Sequence, residues 1–529
     1  MGNLYIDTGG ATTNSGSRDS NTAALSGTGA SNVGTTVNLP AGTDLSSVQT
    51  SGANQDTIYL NDATNANRKI FWITAKDDTL DTVTVDVEPS GIVSSSWAIG
   101  GRMVLTPANY EAAMRPGDTV TFNNSPAARS VAFITTRVAG TGTGGYVKFV
   151  GKTGTRPVFN ITNTANVLIG TGGQALNWWE NFELDQDGAS GNVIAGLGPG
   201  GILHNLKVSD GGGIGYNTGD TGTTMIASEI TGVAGVGISA SVSTLVKGCY
   251  IHDGSSDGIL QTGAGPVTII SANIIDTCAG RGINDSGAPT TAAHLLLLDG
   301  NTVYGCGGSG LEIADADRHT ILINSIFSEN GNAAGEYNVE WVAGSAELGS
   351  FHAWNVFFHS DDAGGSLLNL IVNAQVASSE FTTDPQFTAT RSTLTATSAS
   401  PCVFTVTAGA TPSNNNSGTL SAGTGGALPT GFTAGTTYYV VNVSGNTFQL
   451  SLTLGGAGVN SSSTGTAPFF FHTSAIANFA ISSTSPAKAA GFPGQFLGGS
   501  LGYLDIGAVQ RQEPASGGIR LAGHGGLAA

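Results

Sequence analysis

Between residues 178 and 330 an aliphatic residue returns at a spacing close to 24. The column runs Leu184, Val208, Ile230, Ile251, Ile275, Val303, Ile326, with steps of 24, 22, 21, 24, 28 and 23 residues. A second column follows at a nearly constant offset, usually behind a glycine: Ile214, Ile238, Ile259, Ile283, Leu311 and Val339. Asn273, Asn301 and Asn324 stand two residues ahead of the first column, and Cys278 and Cys306 three residues past it. A unit this short cannot bury an apolar face alone, so it must stack on its neighbours. Inside each unit the pattern alternates with period two, which is the signature of strands. The spacing therefore predicts a coiled parallel β-solenoid: coils about 4.8 Å apart, aliphatic columns filling the interior, and Gly and Asn serving the bends.

Composition narrows the function classes. Charged residues make up 11% of the 529, hydrophobic ones 40%, and the 79 glycines do not recur at every third position, which excludes collagen and a charged disordered polymer. The net charge of −18 repels phosphate backbones and anionic membranes, so neither nucleic acid nor membrane is an expected partner. No apolar run reaches 18 residues, and the opening Met1–Asp7 has neither a basic nor an apolar leader region, so no Sec-type signal peptide is expected. The cysteines at 249, 278, 306 and 402 show no CxxC pairing. Neither a zinc site nor a disulfide framework is expected, and Cys278 and Cys306 should be free, stacked thiols. Helical patterning is confined to Ala108–Met114, ended by Pro116.

The ends carry a resemblance. Tyr110-Glu111-Ala112-Ala113-Met114-Arg115-Pro116-Gly117-Asp118-Thr119-Val120 resembles the first coil of right-handed parallel β-helix proteins of the pectate-lyase-like superfamily, and Tyr146–Gly151 with Gly154–Phe159 resembles the next. Asp384-Pro385-Gln386-Phe387, Ser485-Pro486-Ala487 and Asp505-Ile506-Gly507-Ala508 resemble the closing segments of many such chains. The resemblance implies that the first two of these lie close together, so the stretch between them reads as an insertion. Segments in residues 1–101 (Asp56–Ala63, Arg68–Ile73, Ser95–Gly101) and in the insertion (Leu428–Asn442, Asn446–Ser451) are similar to modules of tailed-bacteriophage virion proteins. The expected fold is all-β: an N-terminal β-rich attachment domain over 1–101, the parallel β-helix over 102–389, a small inserted β domain over 390–474, a closing coil over 475–512 and a Gly-rich tail over 513–529.

Chemistry on such a scaffold would come from carboxylates on an outer face. Retaining glycoside hydrolysis needs two carboxyls about 5–5.5 Å apart, and inverting hydrolysis about 6.5–9.5 Å. Adjacent coils supply the first spacing. Asp253 with Asp276, or Glu312 with Glu340, are the candidate pairs, with Asp285 nearby. The competing explanation is structural, because outward positions must be polar and Asp favours bends; it is the preferred one. Asp315-Ala316-Asp317-Arg318-His319 is the densest polar cluster and reads as an acidic bend, while Lys207, Lys247, Arg281 and Arg318 are scattered. No metal and no cofactor are expected. Trp341, Trp354 and Phe358 belong to an aromatic-rich stretch that could stack on sugars, against a preferred role in sealing the solenoid end or a subunit interface. Trp178-Trp179 reads as a cap.

The expectation is a structural bacteriophage virion protein: a spike, fibre or capsid decoration that is assembled in the host cytoplasm. The resemblance implies a homotrimer. Residues 1–101 would dock onto other virion proteins, with host surface polysaccharide as a ligand. Two rivals stand beside it, a polysaccharide depolymerase carried on a tail spike and a bacterial surface adhesin.

Overall fold

The computed structural model describes the chain apart from residues 1, 12–13, 62–68, 90–94, 104–112, 125–133, 136–139, 144, 155, 161–168, 171–173, 187–189, 220–221, 241–242, 264–265, 287–293, 315–317, 332–335, 343–349, 360–370, 373–378, 388–390, 423–425, 434–435, 474–478, 483, 489, 492–505, 511–519 and 522–529. Most of the helical patch 108–114 and the bend 315–317 fall outside the described residues. Two compact units divide it: Met1–Val208 with Gly222–Thr224, and Ser209–Thr221 with Met225–Ala529.

In the first unit, alternation of apolar and polar residues builds a parallel sheet from Asn3–Ala11, Thr119–Phe122, Val147–Gly151, Asn177–Glu180 and Ile202–His204. The register brings Leu4, Val120, Phe149, Trp179 and Leu203 into one buried column. Phe149 and Trp179 stack at 4.0 Å. Trp179 is thus a coil-interior residue, while Trp178 points outward beside Tyr146 and Lys148. A closed six-stranded barrel occupies Leu25–Ile99, in the order Leu25–Val33, Thr36–Asn38, Thr82–Val85, Ile70–Asp77, Thr57–Leu60, Ser95–Ile99. Its core gathers Val37, Leu45, Ile58, Phe71, Ile73 and Val83. Residues 1–101 are therefore not one separate domain. The first strand already belongs to the solenoid sheet, and the barrel is spliced in behind it.

The second unit repeats one coil with three strands. Sheet 1 contains Thr244–Lys247, Val267–Ser271, His294–Asp299, Arg318–Ile323 and Phe351–Ala353. Sheet 2 contains Glu229–Thr231, Tyr250–His252, Ile274–Asp276, Thr302–Tyr304, Ile326–Ser328 and Val356–Phe358. Sheet 3 contains Tyr216–Asn217, Ile238–Ala240, Ile259–Gln261, Ile283–Asp285, Leu311–Ile313, Val339–Trp341 and Ile371–Val372. In this unit the predicted first column is in register from Ile230 through Val303, but Val303 pairs with Phe327, and Ile326 pairs with Thr302. The second column begins at Tyr216, which pairs with Ile238 and is fully buried, rather than at Ile214.

The bends explain the Gly and Asn usage. One left-handed residue turns the chain from sheet 1 to sheet 2 in each coil: Ala227 (φ 49°), Gly248, Ala272 (φ 54°), Gly300, Asn324 (φ 53°) and Trp354 (φ 55°). The following residue forms a buried ladder. Asn273 Oδ1 accepts the Cys249 amide at 2.9 Å, Asn301 Oδ1 accepts Asn273 Nδ2 at 3.0 Å, and Ser325 Oγ and Asn355 Oδ1 continue the run. Asn324 is thus the bend and Ser325 the rung, a one-residue correction that matches the shift at Phe327. Before the sheet 3 strands from Tyr216–Asn217 to Leu311–Ile313 sits a glycine whose missing Cβ matters. A methyl on Gly237, Gly258 or Gly282 would lie 2.5–2.7 Å from the next coil's glycine carbonyl oxygen.

A second closed barrel runs Arg391–Ala396, Phe404–Ala408, Thr447–Ser451, Thr437–Ser444, Ser417–Ala422, Phe469–Thr473, the same strand order as the first. Its core includes Leu394, Phe404, Leu420, Tyr438, Phe448 and Phe471. Phe469-Phe470-Phe471 form its last strand, with Phe469 and Phe471 in its own core. Beyond it, the described residues of 479–508 do not close the solenoid as a last coil. They form a strap over the outer face of sheet 2: Phe479 and Ala508 pack on Tyr250, Ile274 and Tyr304, and Ile481, Ala487 and Ile506 pack on Ile326 and Val356. Ser485 Oγ donates to the Pro385 carbonyl at 2.6 Å, and Phe387 bridges Ile481, so the chain segments flanking the barrel meet.

Candidate functional sites

Two polar neighbourhoods in the second unit contain the candidate carboxylates. In sheet 2 the inward column leaves His252, Asp276 and Tyr304 in outward register on successive coils. His252 is pinned between two carboxylates, with Nδ1 2.9 Å from Asp253 Oδ2 and Nε2 3.3 Å from Glu229 Oε1, and its ring stacks on Tyr250 at 4.0 Å. Burial alone would pull the imidazolium down. Asp253 and Glu229 outweigh it and hold the group up to about 10, so both ring nitrogens donate at neutral pH. Tyr250 OH donates to Asp276 Oδ2 at 3.2 Å, and burial together with Asp276 and Asp253 keeps that phenol protonated well above its ordinary range.

The second barrel covers this network. Ser417 Oγ donates to Asp253 Oδ2 at 2.8 Å, beside the bond from Thr277 Oγ1 to Asp253 Oδ1 at 3.0 Å. Thr437 Oγ1 reaches the Asp253 carbonyl at 3.4 Å, and Tyr304 OH and His472 Nδ1 are 3.1 Å apart. Asp253 is 5% exposed and Asp276 0%. The structure brings the pair together, but beneath the barrel, where a polysaccharide cannot reach. The residues that do this, Ser417, Thr437 and His472, carry no sequence signal, because they arrive from 164 to 184 positions downstream of their partners.

Sheet 3 offers the accessible neighbourhood. Asn284, Glu312 and Glu340 stand in register on successive strands. Glu336, from the preceding turn, joins them, and the three glutamates each place a carboxylate oxygen within 4.8 Å of the others. Arg281 enters the cluster: Nε donates to Glu312 Oε2 at 2.6 Å, and Nη2 lies 3.8 Å from Glu336 Oε1. Ser309 Oγ donates to Glu336 Oε2 at 2.7 Å and lies 3.2 Å from Glu340 Oε2. Burial pushes the Glu312 carboxyl up, Arg281 opposes that, and Glu340 and Glu336 add to it. One raised carboxyl beside two others is an arrangement suited to proton exchange with a substrate. The same oxygens could also ligate a hard divalent cation, although Arg281 already supplies one positive charge. Neither Glu336 nor the role of Arg281 follows from the repeat pattern, since both lie in turns of variable length. Asp285, the other carboxylate noted near this face, is fully buried.

The aromatic candidates do not form one platform. Trp341 is 1% exposed, and its ring centroid lies 5.5 Å from that of His352, whose Nδ1 lies 3.0 Å from the buried Glu380 carboxylate. Trp354 is half-buried against Phe351, with ring centroids 6.2 Å apart. Phe358 is half-buried beneath the strap. The four cysteines are free and buried, and a thiol–thiol hydrogen bond between Cys278 and Cys306, with burial, raises the Cys278 pKa well above its usual range.

These stacked parallel coils are a right-handed parallel β-helix. Residues 192–343 match the family model described as right handed beta helix region. Among solved structures, the chain is similar to pectate lyase Pel9A at 14% identity, covering 78% of this chain and 92% of that one with a TM-score of 0.43. It is similar to the mannuronan C-5 epimerase AlgE4 A-module of Azotobacter vinelandii at 12% identity, covering 46% and 78% with a TM-score of 0.32. A fainter likeness, at 10% identity, 85% and 83% coverage and a TM-score of 0.15, is to the Gp54 tailspike of Acinetobacter baumannii bacteriophage AP22, in complex with A. baumannii capsular saccharide. No curated protein matches the chain.

Proposed function

We propose that this chain is a structural protein of a bacteriophage virion, a homotrimeric β-helical spike, fibre or surface decoration that presents its outer faces to host polysaccharide. The observation that carries the reading is the sealing of sheet 2: Asp253 and Asp276 lie under a barrel that Ser417, Thr437 and His472 hold in place. A carboxylate pair spent on clamping a domain serves rigidity rather than turnover. The barrel of residues 25–99 is the proposed attachment module. The test is immunogold electron microscopy of particles from the source culture with antibody to this chain. Label on tails or capsids is expected; label confined to cells or to the soluble fraction overturns the proposal.

A second reading rests on the sheet 3 cluster. There the Glu312–Glu340 pair, with Glu336 and Arg281, is partly exposed on an outer face, with carboxylate oxygens within 4.8 Å of one another, against the about 5–5.5 Å between carboxyls in retaining hydrolysis. This reading makes the chain a depolymerase. It expects oligosaccharide release from host capsule by the purified protein and its loss in Glu312→Gln, with the fold intact by circular dichroism.

A further inference from the structure

Two outer rows of this solenoid are apolar, and they are treated differently. On sheet 2 the row Ile274, Ile326, Val356 is 0–1% exposed, because the chain's own strap lies on it. On sheet 1 the outward row Leu245, Ile269, Leu297, Ile321, Phe351 runs in strict register over five successive strands. The four aliphatic members are half-buried, and Phe351 is 52% exposed. In-register stacking makes each side chain shield its neighbours, so half-burial is what an uncovered row looks like. Val267, 38% exposed, and Leu295 widen the row on one side and Ile323 on the other. Among the described residues no element of the chain covers it.

We propose that this face of sheet 1 is the contact surface for a second copy of the chain, related by a rotation axis parallel to the solenoid. The inference rests on the assembly part of the proposed function and identifies the face that does the assembling. Three observations favour a copy over other occupants. The row repeats at the coil rise, about 4.8 Å, and a rotated copy presents the same row at the same rise, so five side chains meet five. The chain carries a net charge of −18, which opposes self-association through most of its surface. This face is nearly neutral: on the rows named, Lys247 and Asp299 are the described charges, two strands apart in one column. A saccharide would find few hydroxyl partners here, and an anionic bilayer would find one lysine. The row spans about 19 Å along the axis, four steps of the strand spacing. That makes it the apolar centre of an interface whose rim the neighbouring rows supply.

The test is sedimentation of the full chain at micromolar concentration, beside Leu297→Lys and Ile269→Lys. Wild type should be oligomeric. Each lysine should weaken association by at least about 30-fold, as loss of a central apolar anchor does, with unchanged far-ultraviolet circular dichroism. A Leu297→Cys variant should crosslink to itself with a short bis-maleimide, since equivalent residues meet at one height and the four native thiols are buried. A monomeric wild type, or an oligomer indifferent to both lysines and not crosslinked through residue 297, overturns the inference. Particle labelling read separately shows whether the virion proposal stands or falls with it.

Discussion

The buried cation at His252 makes a pH prediction with a definite sign. An imidazole whose pKa rises from 6.5 to about 10 on folding contributes stability that is fully present below the unfolded pKa and is lost as pH rises through the folded one. Linkage sets the size at on the order of 4 kcal/mol at pH 7 and about 1 kcal/mol at pH 9.5, so some 3 kcal/mol disappears across that window. The thiols complicate a direct reading. Cys249, pushed up to about 12 by burial, and Cys278 must stay protonated in the fold, while in the unfolded chain they ionise from about 8.5, which destabilises the protein in the same direction. The clean quantity is therefore the difference between wild type and His252→Gln, in which the thiols cancel. Denaturant unfolding followed by hydrogen exchange in Ser417–Ala422, the barrel strand that touches Asp253, should show the variant less protected by several kcal/mol at pH 7 and nearly level with wild type at pH 9.5. A difference that does not change with pH would refute a charged His252 and leave only packing at that position.

Two further perturbations test the coil itself. Gly258→Ala should cost 3 kcal/mol or more in thermal or denaturant unfolding, because its Cβ would meet Ile275 Cγ2 at 2.6 Å and the Gly282 carbonyl oxygen at 2.7 Å, and a backbone neighbour in a stacked coil cannot step aside. Asn301→Ala should cost about 2–4 kcal/mol, because Asn273 Nδ2 loses an acceptor and the Ile270 carbonyl loses a donor in a fully buried site. Melting temperatures of the two variants, compared with an exposed control such as Thr453→Ala, give the answer.

How much of this was legible depends on how local the cause is. Inward columns must be aliphatic in every coil, so Ile230, Ile251, Ile275 and Val303 could be read directly. The reading slipped where two apolar residues are adjacent. Ile326-Phe327 offers two choices, and the aromatic takes the interior place, stacked on Phe357 at 6.0 Å. In Gly213-Ile214-Gly215-Tyr216 both apolar residues follow a glycine, and the aromatic again takes the column place, paired with Ile238. Glu312 and Glu340 were legible as neighbours because they share a register position. The cover over Asp253 was not, since a barrel that folds from distant residues placed it there. The strap was mistaken for a last coil because its Ile481 and Ile506 are as apolar as a coil interior. Their partners, Ile326 and Val356, lie on the outside of the sheet.

That cover also divides the chemical possibilities. Before folding, two carboxylate pairs were equal candidates for work on a polysaccharide. The folded chain surrounds one of them with a cation, a phenol and three hydroxyls, and closes a barrel over it. The other keeps a share of its surface in solvent, with the Glu312 side chain 12% exposed beside Arg281. Of the two pairs a polymer reaches only the second, so the depolymerase reading rests on Glu312 and Glu340. Asp276→Asn should then change stability without a direct effect on turnover. If Asp276→Asn instead abolished oligosaccharide release while the barrel strand Ser417–Ala422 kept its exchange protection, the sealed network would be a working site and the display reading would be wrong.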